Sequence, residues 1–573
     1  MATLQCKTIK GKQYWYLVES RRVNGKPRPI VLAYLGKADD LKQRLASLSK
    51  PALIKSYSYG LVYTLCDIAI QVDIVGIINR YSKASRAYMS EQPVINGFTA
   101  GETILLAALG RACRPTSKQG WINWAQTTSL SYLLGPVINK LDSQHFWDHM
   151  DCIPGDTLEA IEAELIENIW KQYKISTDTL LFDTTNFFTY INTTNKRCPI
   201  AKRGNNKQKR TDLRQIGYAL VVTQKDHIPL FQHTYEGNQP DCITFRNVIE
   251  KIKKRLLLLN MDIEKHTLIF DKGMPTKANF AILDSLQCSY VTTIKSQGYK
   301  DLFSTFEKDA QQIEIEGQNI LATKNIMNIC GKERAVVVYL SERLREGLIR
   351  GYRDLIEKAI KQLAKVGSKM SGSKRKINHD SKKAQIKNII GEKLKDLIEY
   401  RLEEKDGKTT LEYNIRDDLF QKMQQKMGYK ILVSDRKEWT AAEVIRAYNG
   451  QAAVEEEFKN AKNPFHLSFR PQYHWTDQKI RVHFFICFIA HLLCRLLYKQ
   501  ASEKLKYTGQ LNTLLEKLTT IRIAAYAMND KKKYSVEYML ENTDKEQKRL
   551  IEAFSIGPQD NVTGRLFTVS VYK

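Results

Sequence analysis

The sequence predicts an α/β protein in which a mixed β-sheet is accompanied by further segments at both ends and by an insertion. Three observations support this fold class. Strand patterns alternate with helical patterns between residues 178 and 293, helical patterns occupy residues 52–174, and two β-prone runs joined by a turn open the chain. A chain of 573 residues is long enough for roughly three or four domains and a large core.

The composition indicates a polyanionic partner. The chain has 89 Lys and Arg against 62 Asp and Glu, a formal net charge of +27, which favours nucleic acid first and a membrane surface second. No basic and apolar signal segment opens the chain, and its longest apolar run, residues 484–493, contains His491 and is too short to span a bilayer. We therefore expect a buried helix there and no membrane partner.

The ten cysteines are scattered, with no CxxC pair and no cysteine–histidine cluster. This spacing supports neither a zinc site nor a disulfide framework. We expect a reduced, cytoplasmic protein.

Residues 1–50 are predicted to form a small β unit. Residues 14–18 and 29–35 are β-prone, and Asn24-Gly25 between them is a strong hairpin turn. Four basic residues crowd this turn and either contact DNA or form a solvated loop: Arg21, Arg22, Lys26 and Arg28. Residues 51–175 are predicted to be helical, as a DNA-end-binding or dimerisation region.

Residues 176–300 form the first part of the predicted sheet domain. The expected order is strand, strand, strand, helix, strand, helix, strand. The first strand, residues 179–182, is predicted to end on Asp183, and the fourth, residues 267–270, on Asp271. Active sites in α/β sheets collect at such strand ends, although each aspartate is also suited to a turn or a helix cap.

The second half of the chain is expected to interrupt and then complete this domain. Residues 301–428 have charged helical stretches and polar strands, and we interpret them as an inserted α+β domain. Residues 429–505 return to the sheet domain with a strand and two helices. Residues 506–573 are predicted to be a helical tail.

One helix in the returning part, residues 440–462, presents a polar face. Thr440 and Glu443 form a capping box that marks its start. Tyr448, Gln451, Glu455 and Lys462 follow at steps of three, four and seven, which places them on one side of an α-helix. A break at Asn449-Gly450 would leave only residues 451–462 in phase.

Glu455 is followed by Glu456 and Glu457, so a solvated glutamate face is the alternative to a functional Glu455. On a helix the two neighbours are rotated by about 100° and 200° from Glu455. They are therefore expected not to share its position, and to be replaceable without loss of activity.

Two aspartates and a glutamate form the minimum set for holding two divalent cations about 3.5–4 Å apart, one at the attacking oxygen and one at the leaving oxygen of a phosphodiester. Carboxylate oxygens favour Mg²⁺ or Mn²⁺.

These motifs resemble those of the DDE transposases of bacterial insertion sequences, in the branch with a Tyr-Arg-Glu-Lys helix. Phe182-Asp183-Thr184-Thr185 resembles the first acidic motif and Phe270-Asp271-Lys272-Gly273 the second, while Tyr448, Gln451, Glu455 and Lys462 have the spacing of the third. The similarity continues through residues 470–474 and the hairpin at residues 14–36. Gln451 is the departure, because the family has arginine there.

The resemblance implies a ribonuclease H-like core interrupted by the inserted domain. It implies that Asp183, Asp271 and Glu455 are catalytic and hold two Mg²⁺ or Mn²⁺ ions, and that Tyr448, Gln451 and Lys462 bind DNA. Glutamine at position 451 would replace a charged phosphate contact by a neutral one.

The implied activity is cleavage at the terminal inverted repeats of an insertion sequence and transfer of the 3′-OH ends into target DNA. The implied partners are double-stranded DNA, as transposon ends and as target, and a second copy of the chain in the DNA complex, in the bacterial cytoplasm and at the nucleoid. The alternatives are a ribonuclease H-like nuclease without strand transfer and a non-catalytic DNA-binding derivative.

A basic loop, residues 196–210, follows the predicted first strand. We expect it to lie near the active site and to contact the DNA backbone, with a solvated loop as the alternative. Its proposed DNA contacts are Lys202, Arg203, Lys207, Lys209 and Arg210. Residues 369–383 have similar charge, and there a disordered polar loop is an equal alternative.

Overall fold

The computed structural model describes most of the chain as two compact units. The described residues are 2–23, 26–47, 51–84, 93–206, 208–271, 273–295, 301–371, 378–405, 408–470, 472–530 and 533–557. The first unit comprises Met1–Pro154, Phe465–Leu467 and Leu493–Lys573, and the second comprises Gly155–Pro464 and Ser468–Leu492.

The strands are β1 (Ala2–Ile9), β2 (Lys12–Val23), β3 (Lys26–Gly36), β4 (Pro51–Ser58), β5 (Val94–Ile95), β6 (Phe98–Thr99), β7 (Thr179–Thr189), β8 (Arg214–Thr223), β9 (Pro229–Glu236), β10 (Thr267–Phe270), β11 (Ser289–Thr293), β12 (Gln311–Ile315), β13 (Gln318–Ile329), β14 (Lys332–Leu340), β15 (Ile398–Lys405), β16 (Lys408–Ile415), β17 (Tyr429–Ser434), β18 (Arg522–Asp530) and β19 (Lys533–Leu540).

The α-helices are α1 (Ala38–Ser47), α2 (Gly60–Gln71), α3 (Ile74–Tyr81), α4 (Ala100–Cys113), α5 (Trp121–Ala125), α6 (Leu130–Leu133), α7 (Ser143–Asp151), α8 (Leu158–Gln172), α9 (Asp241–Leu258), α10 (Lys277–Ser285), α11 (Asp301–Asp309), α12 (Glu342–Ser371), α13 (His379–Leu394), α14 (Asp417–Gln425), α15 (Ala441–Asn449), α16 (Gln451–Lys462), α17 (Asp477–Leu505), α18 (Leu511–Thr519) and α19 (Lys545–Phe554). Short 3₁₀ turns lie at Gly135–Lys140 and Ile263–Lys265.

The first unit begins with the antiparallel sheet β1-β2-β3. The two strands predicted for residues 1–50 are confirmed as β2 and β3, and β1 is an additional partner. The predicted turn residues Asn24 and Gly25 lie outside the described residues, as do the side chains of Arg22 and Lys26. Of the remaining basic residues of this hairpin, Arg21 forms an exposed ion pair with Glu19 at 2.7 Å.

A second sheet of this unit, in the order β19-β18-β4, corrects two predictions. Residues 506–573 were expected to be helical, but β18 and β19 form a hairpin there. β4 opens the segment predicted to be helical from residue 51. The pairing of Ile523 with Tyr57 joins residues far apart in the sequence, so no local pattern could indicate it.

The second unit contains a nine-stranded mixed sheet in the order β12-β13-β14-β17-β11-β10-β7-β8-β9. β7, β8 and β9 are consecutive antiparallel strands, and β10 and β11 lie parallel to β7 on its other side. With α9 and α10 as connections, this is a ribonuclease H-like core. The predicted order of strands and helices between residues 178 and 293 is confirmed.

The predicted insertion divides into two parts. β12, β13 and β14 extend the main sheet, because β14 pairs with β17 from Ala335–Ser434 to Leu340–Tyr429. Only the later part, from α12 to α14, packs around a cluster of its own, which includes Ile356, Leu363 and Ile386. The second charged helix of the insertion, α13, ends at Leu394 and is followed by β15.

The main core of the second unit lies between the sheet and α15, α16 and the first half of α17, and includes Leu181, Ile269, Val454 and Phe484. Among the described residues, α17 is long and apolar enough to cross a membrane, and the bent pair of α2 and α3 would make a second candidate. However, 94% of the apolar window of α17 is buried inside the structure, as in a core helix, and the predicted buried helix is confirmed.

Candidate active site

The first two acidic residues lie on neighbouring parallel strands. β10 pairs with β7 in a register that places Ile269 opposite Leu181. Two residues further along, the same register brings Asp271, which follows β10 directly, opposite Asp183. Adjacent strands are about 4.8 Å apart, so the sheet itself holds the two aspartates together.

Asp183 lies inside β7 rather than at its end. The strand was expected to end at this residue but continues to Thr189, because its second half pairs with β8 up to Arg214. Asp271 does lie at a strand end, as predicted.

The electrostatics of Asp183 show which groups surround it. The pKa of its carboxyl group is raised to about 7, mainly by burial and in addition by the neighbouring carboxylates of Asp271, Glu455 and Asp241. A hydrogen bond from the backbone N–H of Thr184, 2.7 Å long, opposes this shift. Asp183 is thus surrounded by groups of like charge, and Glu455 is one of them.

The helix that carries Glu455 has the predicted start and a tolerated break. The capping box is formed: the Thr440 hydroxyl accepts from the backbone N–H of Glu443, and the Glu443 carboxylate accepts from that of Thr440. α15 ends at Asn449 and α16 begins at Gln451, but Gly450 between them keeps right-handed helical angles (φ −56°, ψ −21°). The polar face therefore continues across the break.

Packing explains the glycine at position 450. A Cβ atom added there would lie 2.3 Å from Nε2 of Gln224, in the turn between β8 and β9. Glycine lowers the helical propensity at this position, but it lets the helix lie closer to that turn than a residue with a Cβ atom would.

The polar face of α15 and α16 is directed at the acidic strands. The Tyr448 hydroxyl donates a hydrogen bond to the Asp271 carboxylate at 3.3 Å, and burial and Asp271 both raise the pKa of Tyr448, so the tyrosine stays protonated. The Lys462 ammonium group donates to the Thr185 hydroxyl and lies 5.4 Å from the centre of the Phe187 ring. Glu455 itself is exposed.

Gln451, expected to contact DNA, is buried. Its side-chain amide donates a hydrogen bond to the backbone carbonyl of Phe182 at 3.2 Å, and the residue is 6% exposed. The contact joins α16 to β7 one residue before Asp183. In this structure Gln451 therefore positions the helix against the strand.

Glu457 differs from the expectation for it. It is fully buried, and its carboxylate contacts His491 of α17 and, at 3.1 Å, His227 of the turn between β8 and β9. The prediction that glutamine variants of Glu456 and Glu457 retain cleavage activity stays a prediction, but Glu457 is a buried structural residue rather than a solvent-facing one. The alternative of a solvated face of three glutamates is wrong for the same reason.

Asp241 is a fourth carboxylate that the sequence did not reveal. It begins α9, and its Oδ1 accepts a hydrogen bond from the Thr184 hydroxyl at 2.8 Å. A Cβ atom added to Gly273, in the loop after Asp271, would lie 3.6 Å from its other oxygen. An acidic residue in a first helical turn is common, so only the path of the chain from β9 to α9 shows that Asp241 belongs to this site.

The donor set suits a hard divalent cation. In the part of the chain that the structure describes, none of the carboxylates of Asp183, Asp271, Glu455 and Asp241 forms an ion pair with a basic side chain. No three His, Cys, Asp or Glu side chains among the described residues are grouped closely enough to hold one ion together. Carboxylate oxygens are the ligands that Mg²⁺ prefers, and this ion is usually held by one or two carboxylates, with water and substrate phosphates completing its octahedron.

The basic loop does not follow Asp183 directly. β7 continues for six residues beyond Asp183, to Thr189, which is about 20 Å along the strand, and the loop comes after that strand end. Lys202 pairs with Glu236 at 2.7 Å, and Arg210 pairs with Asp212 at 2.6 Å and lowers the pKa of that aspartate to about 2.

Arg203 and Lys209 are exposed, whereas Lys207 lies outside the described residues. DNA contact by this loop stays a prediction. In the second basic run, α12 reaches Ser371 and α13 begins at His379, and residues 372–377 are not described.

The strand order and the converging carboxylates define a protein with a ribonuclease H-like fold and an acidic site. The chain belongs to the DDE transposase family, because the family model described as "Transposase DDE domain" matches residues 189–493, more than half of the chain. A second model, "IS1634 family transposase, N-terminal domain", matches residues 4–56. The match to the "Transposase DDE domain" model begins at residue 189, so it does not include Asp183. Asp183 is assigned to the site by the pairing of β7 with β10.

No curated protein sequence matches the chain. A solved structure described as "Cryo-EM structure of piggyBac transposase synaptic complex with hairpin DNA" is similar to it with a TM-score of 0.40 and 8% sequence identity. That match covers 88% of this chain and 85% of the other.

Proposed function

We propose that this transposase binds the terminal inverted repeats of an insertion sequence, cleaves them by metal-dependent phosphodiester hydrolysis and transfers the 3′-OH ends into target DNA. One observation supports the proposal most directly: the carboxylates of Asp271, Glu455 and Asp241 lie near that of Asp183 and raise its pKa. Among the described residues, no basic side chain forms an ion pair with any of these four carboxylates. Such a group is stabilised when cations bind it.

Asp183, Asp271 and Glu455 are proposed to hold two Mg²⁺ or Mn²⁺ ions. When bound, a pair of such ions activates the attacking oxygen and stabilises the leaving oxygen of a phosphodiester. Water is the first nucleophile and a DNA 3′-OH the second, so the protein forms no covalent bond to DNA.

The other residues of the helix face are proposed to position these groups. Tyr448 fixes the carboxylate of Asp271 by its hydrogen bond, and Gln451 holds α16 on β7. Lys462 lies beside Thr185, two residues from Asp183, and supplies the positive charge for a phosphate of the strand being cut.

The proposed partner is double-stranded DNA, and the net charge of +27 supports it. Binding two transposon ends and joining both to one target requires two active sites acting together. We therefore propose a homodimer in the DNA complex.

A cleavage and strand-transfer assay tests this function. The substrate is a duplex that carries the DNA flanking this reading frame, incubated with Mg²⁺ and a target plasmid. We expect nicking at the element ends followed by joining to the plasmid. Nicking without joining would indicate a ribonuclease H-like nuclease, and binding without nicking a non-catalytic derivative.

A further inference from the structure

Residues 472–475 have the reverse of the usual burial pattern. Gln472 and His474 are buried, at 0% and 4% exposure, whereas Tyr473 and Trp475 are 52% and 57% exposed. In an extended segment alternate residues face opposite sides, and the apolar side is normally the buried one. Here polar side chains face the interior and aromatic ones face solvent.

Polar contacts hold this segment in place. The side chain of Gln472 donates a hydrogen bond to the carbonyl of Phe469, and its own backbone carbonyl accepts one from the backbone N–H of Tyr190 at 3.0 Å. The ring of His474 stacks on His483 with 4.2 Å between the centroids. The polar side chains thus hold the segment, while the aromatic rings of Tyr473 and Trp475 stay exposed and gain little free energy from burial. Stabilisation of the fold is therefore not a sufficient reason for aromatic residues at these two positions.

A third aromatic residue joins the same surface. Tyr190 follows β7, is 52% exposed, and its ring lies 5.7 Å from that of Tyr473. Tyr473 and Trp475 are two residues apart and are both exposed. We call Tyr190, Tyr473 and Trp475 the aromatic platform.

Basic residues lie on the chain segments next to the aromatic platform. The side-chain amide of Asn195 donates to the carbonyl of Trp475 at 2.9 Å, and the carbonyl of Asn195 accepts from the Arg214 guanidinium at 2.9 Å. Lys196 and Arg197, the next two residues, are exposed. Arg210 of the basic loop lies close enough to Tyr190 to interact with it electrostatically.

We infer that the aromatic platform binds unpaired nucleotides of the DNA strand being processed, by stacking the bases on its rings while the neighbouring cations contact the backbone. Exposed aromatic rings beside basic side chains form the usual surface for single-stranded DNA. In a duplex the base faces are already stacked on one another, so only unpaired nucleotides can use such rings. The inference rests on the proposed function in that DNA is the substrate.

The test compares two substitutions at one position in the full-length chain. Trp475→Leu keeps the apolar bulk and loses the aromatic face, whereas Trp475→Phe keeps an aromatic face. Affinity for a labelled oligothymidine is measured by fluorescence anisotropy, at fixed salt and without divalent cations. We expect Trp475→Leu to bind on the order of tenfold more weakly than the parent, and Trp475→Phe to bind within about threefold of it.

A blunt duplex of the same length is the matched ligand, and its affinity should not change in either variant. An equal loss for the duplex, an equal loss in both variants, or unchanged oligothymidine binding by Trp475→Leu would overturn the inference. So would a change of oligomeric state in Trp475→Leu, because the surface would then bind protein. Tyr473→Leu provides a second position with the same expected result should Trp475→Leu fail to fold.

The binding assay contains no metal and involves no cleavage, so it is independent of the acidic site. If the proposed function fails, Glu455→Gln cleaves as the parent does, and the oligothymidine result is unaffected. If the platform fails, Trp475→Leu retains its oligothymidine affinity while Glu455→Gln still abolishes cleavage.

Discussion

The acidic site and the basic loop carry opposite charges, and they also differ in whether neighbouring side chains of the protein neutralise those charges. Around Asp183 the structure collects further carboxylates, and the pKa of Asp183 rises. In the basic loop, Lys202 and Arg210 each have an acidic partner of their own. Like charges gathered in a partly buried site are relieved when a proton or a cation binds there, whereas exposed ion pairs contribute little to stability and can be exchanged for DNA phosphates.

The largest expected effect is at the acidic site. Asp183→Asn, Asp271→Asn and Glu455→Gln keep the side-chain shape but remove the charge that balances the cations, so cleavage should fall on the order of a thousandfold or more. Binding of the element ends should survive. The measurement is a Mg²⁺-dependent nicking assay with a parallel gel-shift assay.

Glu456→Gln is the matched control for these variants, because Glu456 is exposed one residue from Glu455. It should cleave nearly as well as the parent. Equal activity of Glu455→Gln and Glu456→Gln would remove Glu455 from the site.

The next largest effect is expected on the free energy of unfolding, which should respond differently to substitution of Glu457 and of Glu456. Removing one partner of a buried charged group leaves the others unpaired, so Glu457→Ala should lower the free energy of unfolding by about 3 kcal/mol. Glu456→Ala should change it by about 0.5 kcal/mol or less, as an exposed substitution. Chemical denaturation of the two variants checks this, and equal midpoints would contradict the buried contacts with His227 and His491.

The raised pKa of Asp183 predicts a pH dependence of the metal-free protein. The unfolded chain releases this proton near pH 3.8 and the folded chain near pH 7, so this residue makes stability fall as pH rises between the two values. Below that interval both states are protonated and the effect vanishes. Asp183→Asn should therefore raise the thermal midpoint at pH 8 without metal, and make no difference at pH 3.5.

A second experiment compares the parent and Asp183→Asn at pH 8 after Mg²⁺ is added. It should raise the thermal midpoint of the parent and raise that of Asp183→Asn less, because the variant lacks one of the charges that bind the ion. An equal Mg²⁺ effect on both proteins would show that Asp183 does not hold the ion.

The smallest effect is expected in the basic loop. Replacing Arg203 and Lys209 by alanine should weaken DNA binding and reduce the salt slope of log K by about 1 for each phosphate that the variant no longer neutralises. Replacing Lys202 and Arg210 should weaken binding less, because DNA must first compete with Glu236 and Asp212. Neither pair should change the thermal midpoint appreciably, and unchanged DNA affinity in both would leave the loop as a solvated segment.

Much of the site could be predicted because its signals are local. The capping box at Thr440 and Glu443, the spacing from Tyr448 to Lys462 and the apolar strand before Asp271 each lie within a few residues. The order of strands and helices in the sheet domain follows from the same kind of pattern. Gln451 shows the limit: its place on the helix face was predicted, but not its hydrogen bond to the carbonyl of Phe182.

The order of elements in the sheet domain and the residues of one helix face follow from local sequence patterns, because hydrophobic periodicity and capping act over a few residues. The continuation of β7 past Asp183, the pairing of β18 with β4, and the burial of Glu457 beside an exposed Glu455 do not follow from such patterns. Only the tertiary structure brings Asp241 to the site. These features depend on contacts between residues distant in sequence, and there the burial of a side chain is set by the partner strand or helix rather than by its neighbours in the chain.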